Sequence, residues 1–141
     1  MNMETLQTNV TKSLWANSAI ISKQIDNSLG MLHGIGLTEY MVLNQLMDAP
    51  NKHMRRIDVA EAVGRTASGV TRMLIPMEKI GLIEREVNPR DARVSLVKIT
   101  SVGETKLAEA TITLNERSEK ILQHFDPKQL NEFLNLLKLI N

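Results

Sequence analysis

The stretch that leaves this chain least freedom is residues 66–100, where a helical period gives way to two strand-like runs within 35 positions. Val70, Met73, Leu74 and Met77 fall at i, i+3, i+4 and i+7, which predicts a helix with one apolar face turned inward. Thr66 or Ser68 can cap it, because a side-chain oxygen there accepts from an unpaired N–H of the first turn. Gly81 is placed to end it as a left-handed C′ residue. Residues 82–87 and 94–99 then read as two strands of a hairpin. The turn between them is Asn88-Pro89-Arg90-Asp91-Ala92-Arg93, in which Asn and Pro supply the bend and two arginines flank one aspartate. The small residues at the helix start, Thr66, Ala67, Ser68 and Gly69, let the backbone approach a surface closely. Thr71 and Arg72 sit one turn further in, within reach of the same surface. A helix start of this kind beside a basic hairpin tip has the geometry to read duplex DNA. The helix fits the major groove and an arginine suits the narrow minor groove beside it.

The flanking segments extend that pattern. Asp58 is expected to cap a short helix over residues 59–63, with Gly64 as its stop. Ala60 and Ala62 are small enough for close crossing, and Gly64-Arg65-Thr66 suits the turn of a helix-turn-helix whose second helix is 67–80. Residues 54–57 fit a one-rung strand beside the hairpin. Upstream, Thr38 is the expected cap of a helix with Tyr40, Leu43, Leu46 and Met47 inward, ended by Asp48-Ala49-Pro50-Asn51. Pro76 stands inside the second helix of the motif, where it removes an N–H at a cost of about 3 kcal/mol in a regular helix. A kink is therefore expected between a reading half (67–75) and a packing half (77–80), with the Arg72 carbonyl left free.

Both ends of the chain are helical and apolar. Residues 12–31 predict a long helix with Leu14, Ser18, Ile21, Ile25, Ser28 and Leu32 near a heptad seam, widened by Trp15, Ala19 and Leu29. His33-Gly34-Ile35-Gly36 breaks it. Thr100 or Ser101 is expected to cap a second long helix, about 102–124, with Leu107, Ala110, Leu114, Ile121 and Phe125 on one face. Asp126-Pro127 starts a last helix carrying Leu130, Phe133, Leu134, Leu137 and Ile140. Such helices have more apolar surface than one small domain covers, which points to a two-fold dimer.

Composition bounds the rest. The 141 residues carry a formal net charge of +1. Residues 52–98 hold ten Lys and Arg against six Asp and Glu, so the middle is about +4 and the two ends together about −3. One Trp, one Tyr and two Phe leave the core to aliphatic residues and eight Met. The absence of cysteine excludes disulfides, thiol redox sensing, thiolate metal sites and a cysteine nucleophile. No apolar run approaches the roughly 20 residues of a membrane span. The N-terminus lacks a signal-peptide pattern, so a cytoplasmic location is expected. No nucleophile elbow, phosphate loop or H-E-x-x-H is present, so neither catalytic residues nor a cofactor are expected. His33, His53 and His124 lie in separate elements without a ligand-set spacing, and no metal site is expected. Glu116 and Glu119 fit a solvated helix face, and Lys79 and Lys98 fit solvated surface.

Several runs together resemble the MarR family of bacterial winged helix-turn-helix regulators. They are Leu37-Thr38, Asp58-Val59-Ala60, Val70-Thr71-Arg72, the segment 78–85 (EKIGLIER), Asp91-Ala92-Arg93, and Ile99-Thr100-Ser101-Val102-Gly103. The D-x-R tip followed by [LI]-T-x-x-G is the most specific of them. The resemblance runs from about Trp15 to the C-terminus. It implies a mainly α fold with a small β-hairpin wing (α+β), a winged helix-turn-helix with long N- and C-terminal dimerisation helices. Residues 1–36 and 101–141 would form the helical dimerisation region and 37–100 the DNA-binding region of one compact domain. Thr66, Ala67, Ser68, Gly69, Thr71 and Arg72 would meet bases and phosphates from the helix. Arg93 would enter the minor groove with Asp91 as its support, and Arg90 would touch phosphate.

The implied partner is double-stranded DNA, read as an inverted repeat by a homodimeric repressor that a small-molecule effector releases. Trp15, residues 33–37 and Leu114 are candidates for an effector pocket and equally for plain core. Two other classes stay open: a winged-helix protein-interaction module and a metal-responsive DNA-binding sensor.

Overall fold

The computed structural model describes residues 1–91 and 93–141. Ala92, the middle residue of the D-x-R tip, lies outside the described residues. Helix α1 (Met3–His33) leads into α2 (Leu37–Asp48), then strand β1 (His53–Arg55), α3 (Arg56–Ala62) and α4 (Ala67–Lys79). Strands β2 (Ile83–Val87) and β3 (Ser95–Ile99) follow, then α5 (Ser101–Ile121) and α6 (Pro127–Leu137). The mainly helical chain with a small wing is the expected class.

The strands form one antiparallel sheet in the order β1-β3-β2. Ile83 faces Ile99 and Val87 faces Ser95 across the hairpin, while His53 faces Lys98 on the other edge of β3. The short strand expected over 54–57 is therefore real but sits at 53–55. Arg56 already belongs to the next helix.

Helix ends explain most of the remaining boundaries. α1 starts at Met3, nine residues earlier than the apolar seam suggests, because Asn2 Oδ1 accepts from the Thr5 N–H at 2.8 Å. It stops where Gly34 takes φ +69°. α2 has Gly36 rather than Thr38 at its cap position. The Asp26 carboxylate, reaching over from α1, accepts from the Leu37 N–H at 2.6 Å instead. Asp58 is likewise not a cap: it lies inside the first turn of α3, where its two oxygens take the Arg55 guanidinium at 2.8 and 3.0 Å. α4 is one uninterrupted helix across Pro76. It closes as expected on Gly81, with Gly81 N–H to Glu78 C=O at 3.0 Å and Leu82 N–H to Met77 C=O at 3.0 Å.

The junction between sheet and α5 explains the spacing Ile99-Thr100-Ser101-Val102-Gly103. The Thr100 N–H donates to the Leu82 carbonyl at 3.1 Å, and Thr100 Oγ1 accepts from the Gly103 N–H at 3.0 Å. Thr100 is thus the cap, not Ser101. A Cβ on Gly103 would stand 2.1 Å from the Leu82 carbonyl oxygen. Only a residue without a side chain lets α5 leave the sheet at this point.

The core lies within the middle of the chain. Leu29, Leu43, Leu46, Val59, Val70, Leu82, Ile83 and Val97 are almost wholly buried, joined by Leu107 and Ala110 of α5. α1 contributes only Ile25 and Leu29 to the buried set, both in its second half. Every residue from 1 to 20 is exposed, and α6 buries none of its residues.

Candidate nucleic-acid interface

α4 presents its small-residue start on the surface. Thr66 Oγ1 accepts from the Gly69 N–H at 3.0 Å, so Thr66 is the cap. Ser68 Oγ lies 3.4 Å from the same oxygen and, like Ala67, is exposed. A Cβ on Gly69 would stand 3.0 Å from Thr66 Oγ1, so a side chain there would press on the cap. Thr71 is half-buried. Its hydroxyl donates to the Ala67 carbonyl at 2.9 Å and accepts from Arg56 Nη1 at 3.0 Å. With its single hydrogen committed to its own helix, Thr71 has only an acceptor lone pair left for any outside group. Arg72 is exposed and enters no salt bridge among the described residues. Behind this surface Val70, Leu74 and Met77 are buried, and Met73 packs on the core.

The wing is built from local hydrogen bonds. Asn88 Oδ1 accepts from the Arg90 N–H at 2.8 Å, and the Asn88 carbonyl accepts from the Asp91 N–H at 3.2 Å. Asp91 then grips Arg93 three times: Oδ1 accepts from the backbone N–H and from Nε, both at 3.0 Å, and Oδ2 accepts from Nη2 at 3.1 Å. The Arg93 side chain is 91% exposed while its head is held in a two-pronged fork. The hydrogen bond from the Arg93 side chain, and then that from its backbone N–H, hold the Asp91 carboxyl below the usual carboxylate range. The same pairing raises Arg93. Arg90 is exposed beside it. The wing is tied to α4 through Arg85 Nε and Glu78 Oε2, 2.8 Å apart.

The structure therefore brings Thr66, Ala67, Ser68, Gly69, Thr71 and Arg72 together on one helix start. It sets Arg90, Asp91 and Arg93 together on the hairpin turn. Two further basic residues lie beside the helix start: Arg56 donates to Thr71 of α4, and Arg65, next to Thr66 in sequence, donates to Thr38 Oγ1 of α2 at 3.1 Å. Both count toward the basic excess of residues 52–98, but the sequence singles out neither. Their hydrogen bonds to residues 15 and 27 positions away leave no local pattern.

The candidates for an effector pocket divide between surface and core. Trp15 is 75% exposed, Ile35 is buried, and Leu37 and Leu114 pack on the core. His33 Nε2 lies 2.7 Å from Thr113 Oγ1, and His53 Nδ1 lies 3.2 Å from Glu86 Oε2, so neither imidazole is idle. An open groove of about 830 Å³ lies elsewhere, between residues 9–24 of α1, the end of α5 and α6. Its walls include Leu14, Ile20, Ile21, Ile121, Phe125 and Phe133, with Arg117 and Lys120 as its charged groups.

Comparisons with known proteins agree with this arrangement. The sequence profile of the MarR family matches residues 35–95, from the start of α2 into the wing. Transcriptional regulator HosA of Escherichia coli O111:H- is 29% identical over 100 residues, 71% of this chain and 73% of that protein. The crystal structure of the transcriptional regulator BldR from Sulfolobus solfataricus superposes with a TM-score of 0.88 at 21% identity, covering 100% of both chains. Sco3205, a MarR family transcriptional regulator from Streptomyces coelicolor solved in complex with DNA, superposes with a TM-score of 0.86 at 18% identity. That match covers 99% of this chain and 88% of Sco3205. Over the whole chain the fold is the winged helix-turn-helix of these solved regulators, and within it residues 35–95 carry the sequence profile of the MarR family.

Proposed function

We propose that the protein is a homodimeric repressor of the cytoplasm that binds an inverted-repeat operator and is released by a small-molecule effector. The start of α4 would lie in a major groove, with Thr66, Ala67, Ser68, Gly69, Thr71 and Arg72 against bases and phosphates. Arg93, held by Asp91, would enter the adjacent minor groove, and Arg90 would meet phosphate. Residues 37–100 would read DNA while 1–36 and 101–141 pair the subunits.

The observation that carries this reading is a mismatch between two surfaces. The start of α4 and the hairpin turn both belong to one chain, whereas the first part of α1 and all of α6 are not covered by their own chain. Leu6, Val10 and Trp15 of α1 and Phe133, Leu134 and Leu136 of α6 are all between 45% and 75% exposed. Uncovered apolar faces of this extent mark an association surface. A second copy related by a two-fold axis covers both sets at once and sets two α4 helices on one duplex. Half-sites would then lie about one helical turn apart. The groove of about 830 Å³ opens on the same helices. A ligand there would alter how the protomers pair, and so the spacing of the two reading helices.

Sedimentation of the protein alone and with a duplex taken from upstream of its own coding sequence tests this. A two-chain species is expected in both cases, and Phe133→Asp is expected to shift the free protein toward single chains with weaker DNA binding. A free protein that stays a single chain and binds DNA as one contradicts the homodimer.

A further inference from the structure

The basic residues around the reading surface divide into two kinds. Arg55, Arg85 and Arg93 each face a carboxylate, those of Asp58, Glu78 and Asp91. Arg56 does not. It is exposed, enters no salt bridge among the described residues, and yet is fixed, because Nη1 donates to Thr71 Oγ1 at 3.0 Å. A hydroxyl partner holds the guanidinium without cancelling its charge. An arginine presents five N–H donors, so the others remain for a further acceptor. Holding a long side chain in place costs rotamer entropy, and one exposed hydrogen bond to a neutral hydroxyl returns little of it.

Position gives the held charge a meaning. Arg56, Thr71, Arg85 and Ser95 line a narrow crevice in the angle between α4 and the wing, with apolar Leu74 and Val97 beside them. When a helix lies in a major groove and a hairpin tip in the neighbouring minor groove, one sugar–phosphate strand separates the two. That strand must pass over this angle. We propose that Arg56 is a DNA-contact residue that receives a backbone phosphodiester at the root of the wing, oriented for that purpose by Thr71. The proposal rests on the DNA-binding reading above. It adds a sequence-independent contact that fixes the depth and register at which α4 enters the groove.

The test is a phosphate-neutralisation walk. Duplexes from upstream of the protein's own coding sequence carry one methylphosphonate at successive positions. Anisotropy titrations compare the wild type with Arg56→Gln, Arg56→Lys and Arg93→Ala. Gln keeps a donor but loses the charge; Lys keeps the charge. Arg56→Gln is expected to weaken binding roughly three- to tenfold and to lower the salt slope by about one unit, while Arg56→Lys retains most of that slope. At one phosphate per half-site, neutralisation should weaken the wild type and leave Arg56→Gln unchanged. If Arg56→Gln is as sensitive as the wild type at every position, the proposal is overturned. The DNA reading still stands in that case if Arg93→Ala binds more weakly. A wild type that binds none of the duplexes overturns both. Thermal unfolding of each variant separates lost contact from lost fold.

Discussion

At the scale of single residues, two positions show how chemistry fixes the site. Gly103 is required by contact: a methyl there would meet the Leu82 carbonyl oxygen at 2.1 Å, backbone that has no rotamer to yield. Gly103→Ala is expected to destabilise the fold by about 1–3 kcal/mol, the usual range for overpacking, visible as a lower thermal midpoint. An unchanged midpoint would mean that α5 shifts freely. Asp91 is required by charge. Its folded-state carboxyl is depressed by Arg93, so the fork is present above the ordinary carboxylate range and is lost as pH falls through the lower folded value. DNA affinity should therefore show an acid-side loss that Asp91→Asn abolishes, leaving a weakening that no longer depends on pH in that range. Because the pair is exposed, thermal stability should barely change in Asp91→Asn. Both residues were legible in the sequence, Asp91 from the D-x-R turn and Gly103 from the glycine four positions after Ile99. Arg56 was not, since its partner Thr71 lies in another helix.

At the scale of elements, what was legible depended on whether the determinant was local. Thr66 as cap and Gly81 as stop were both readable because cap and helix adjoin in sequence. Thr38 and Asp58 had the right residue type for capping and serve elsewhere. The start of α2 is satisfied by Asp26, eleven positions upstream, which no local pattern shows. Thr38 accepts from Arg65 instead. The early start of α1 follows from Asn2, whose capping signal precedes any apolar periodicity. Pro76 is the instructive case. An interior proline is expected to kink a helix, and α4 stays helical through it, with Leu74 and Met77 buried on either side. Packing of that face outweighs the missing hydrogen bond. Pro76→Ala gives the Arg72 carbonyl its donor back, and it is expected to raise stability by about 1–3 kcal/mol in denaturant unfolding. A loss of stability would show that the proline shapes α4 for a purpose.

At the scale of the molecule, the chain consists of a closed core and an unclosed exterior. Leu43, Val59, Val70 and Val97 close the centre, whereas the first half of α1 and all of α6 bury nothing within the protomer. The apolar seams at both ends were visible in the sequence, but whether their own chain covers them is a tertiary fact that periodicity does not contain. The same holds for the groove, whose walls bring the N-terminal helix against the two C-terminal ones. On the function proposed above, the exterior would pair two protomers, and pairing would set two α4 helices and two Arg93 tips on one duplex. The most direct measurement is fluorescence anisotropy of wild type and Arg93→Ala on the DNA upstream of the protein's own coding sequence, with an unrelated duplex as control, at two salt concentrations. The account predicts preference for the upstream duplex, marked weakening at higher salt, and roughly tenfold or greater loss in Arg93→Ala at that duplex. Equal affinity of wild type and Arg93→Ala for the upstream duplex, or no binding to either duplex at low salt, would contradict it.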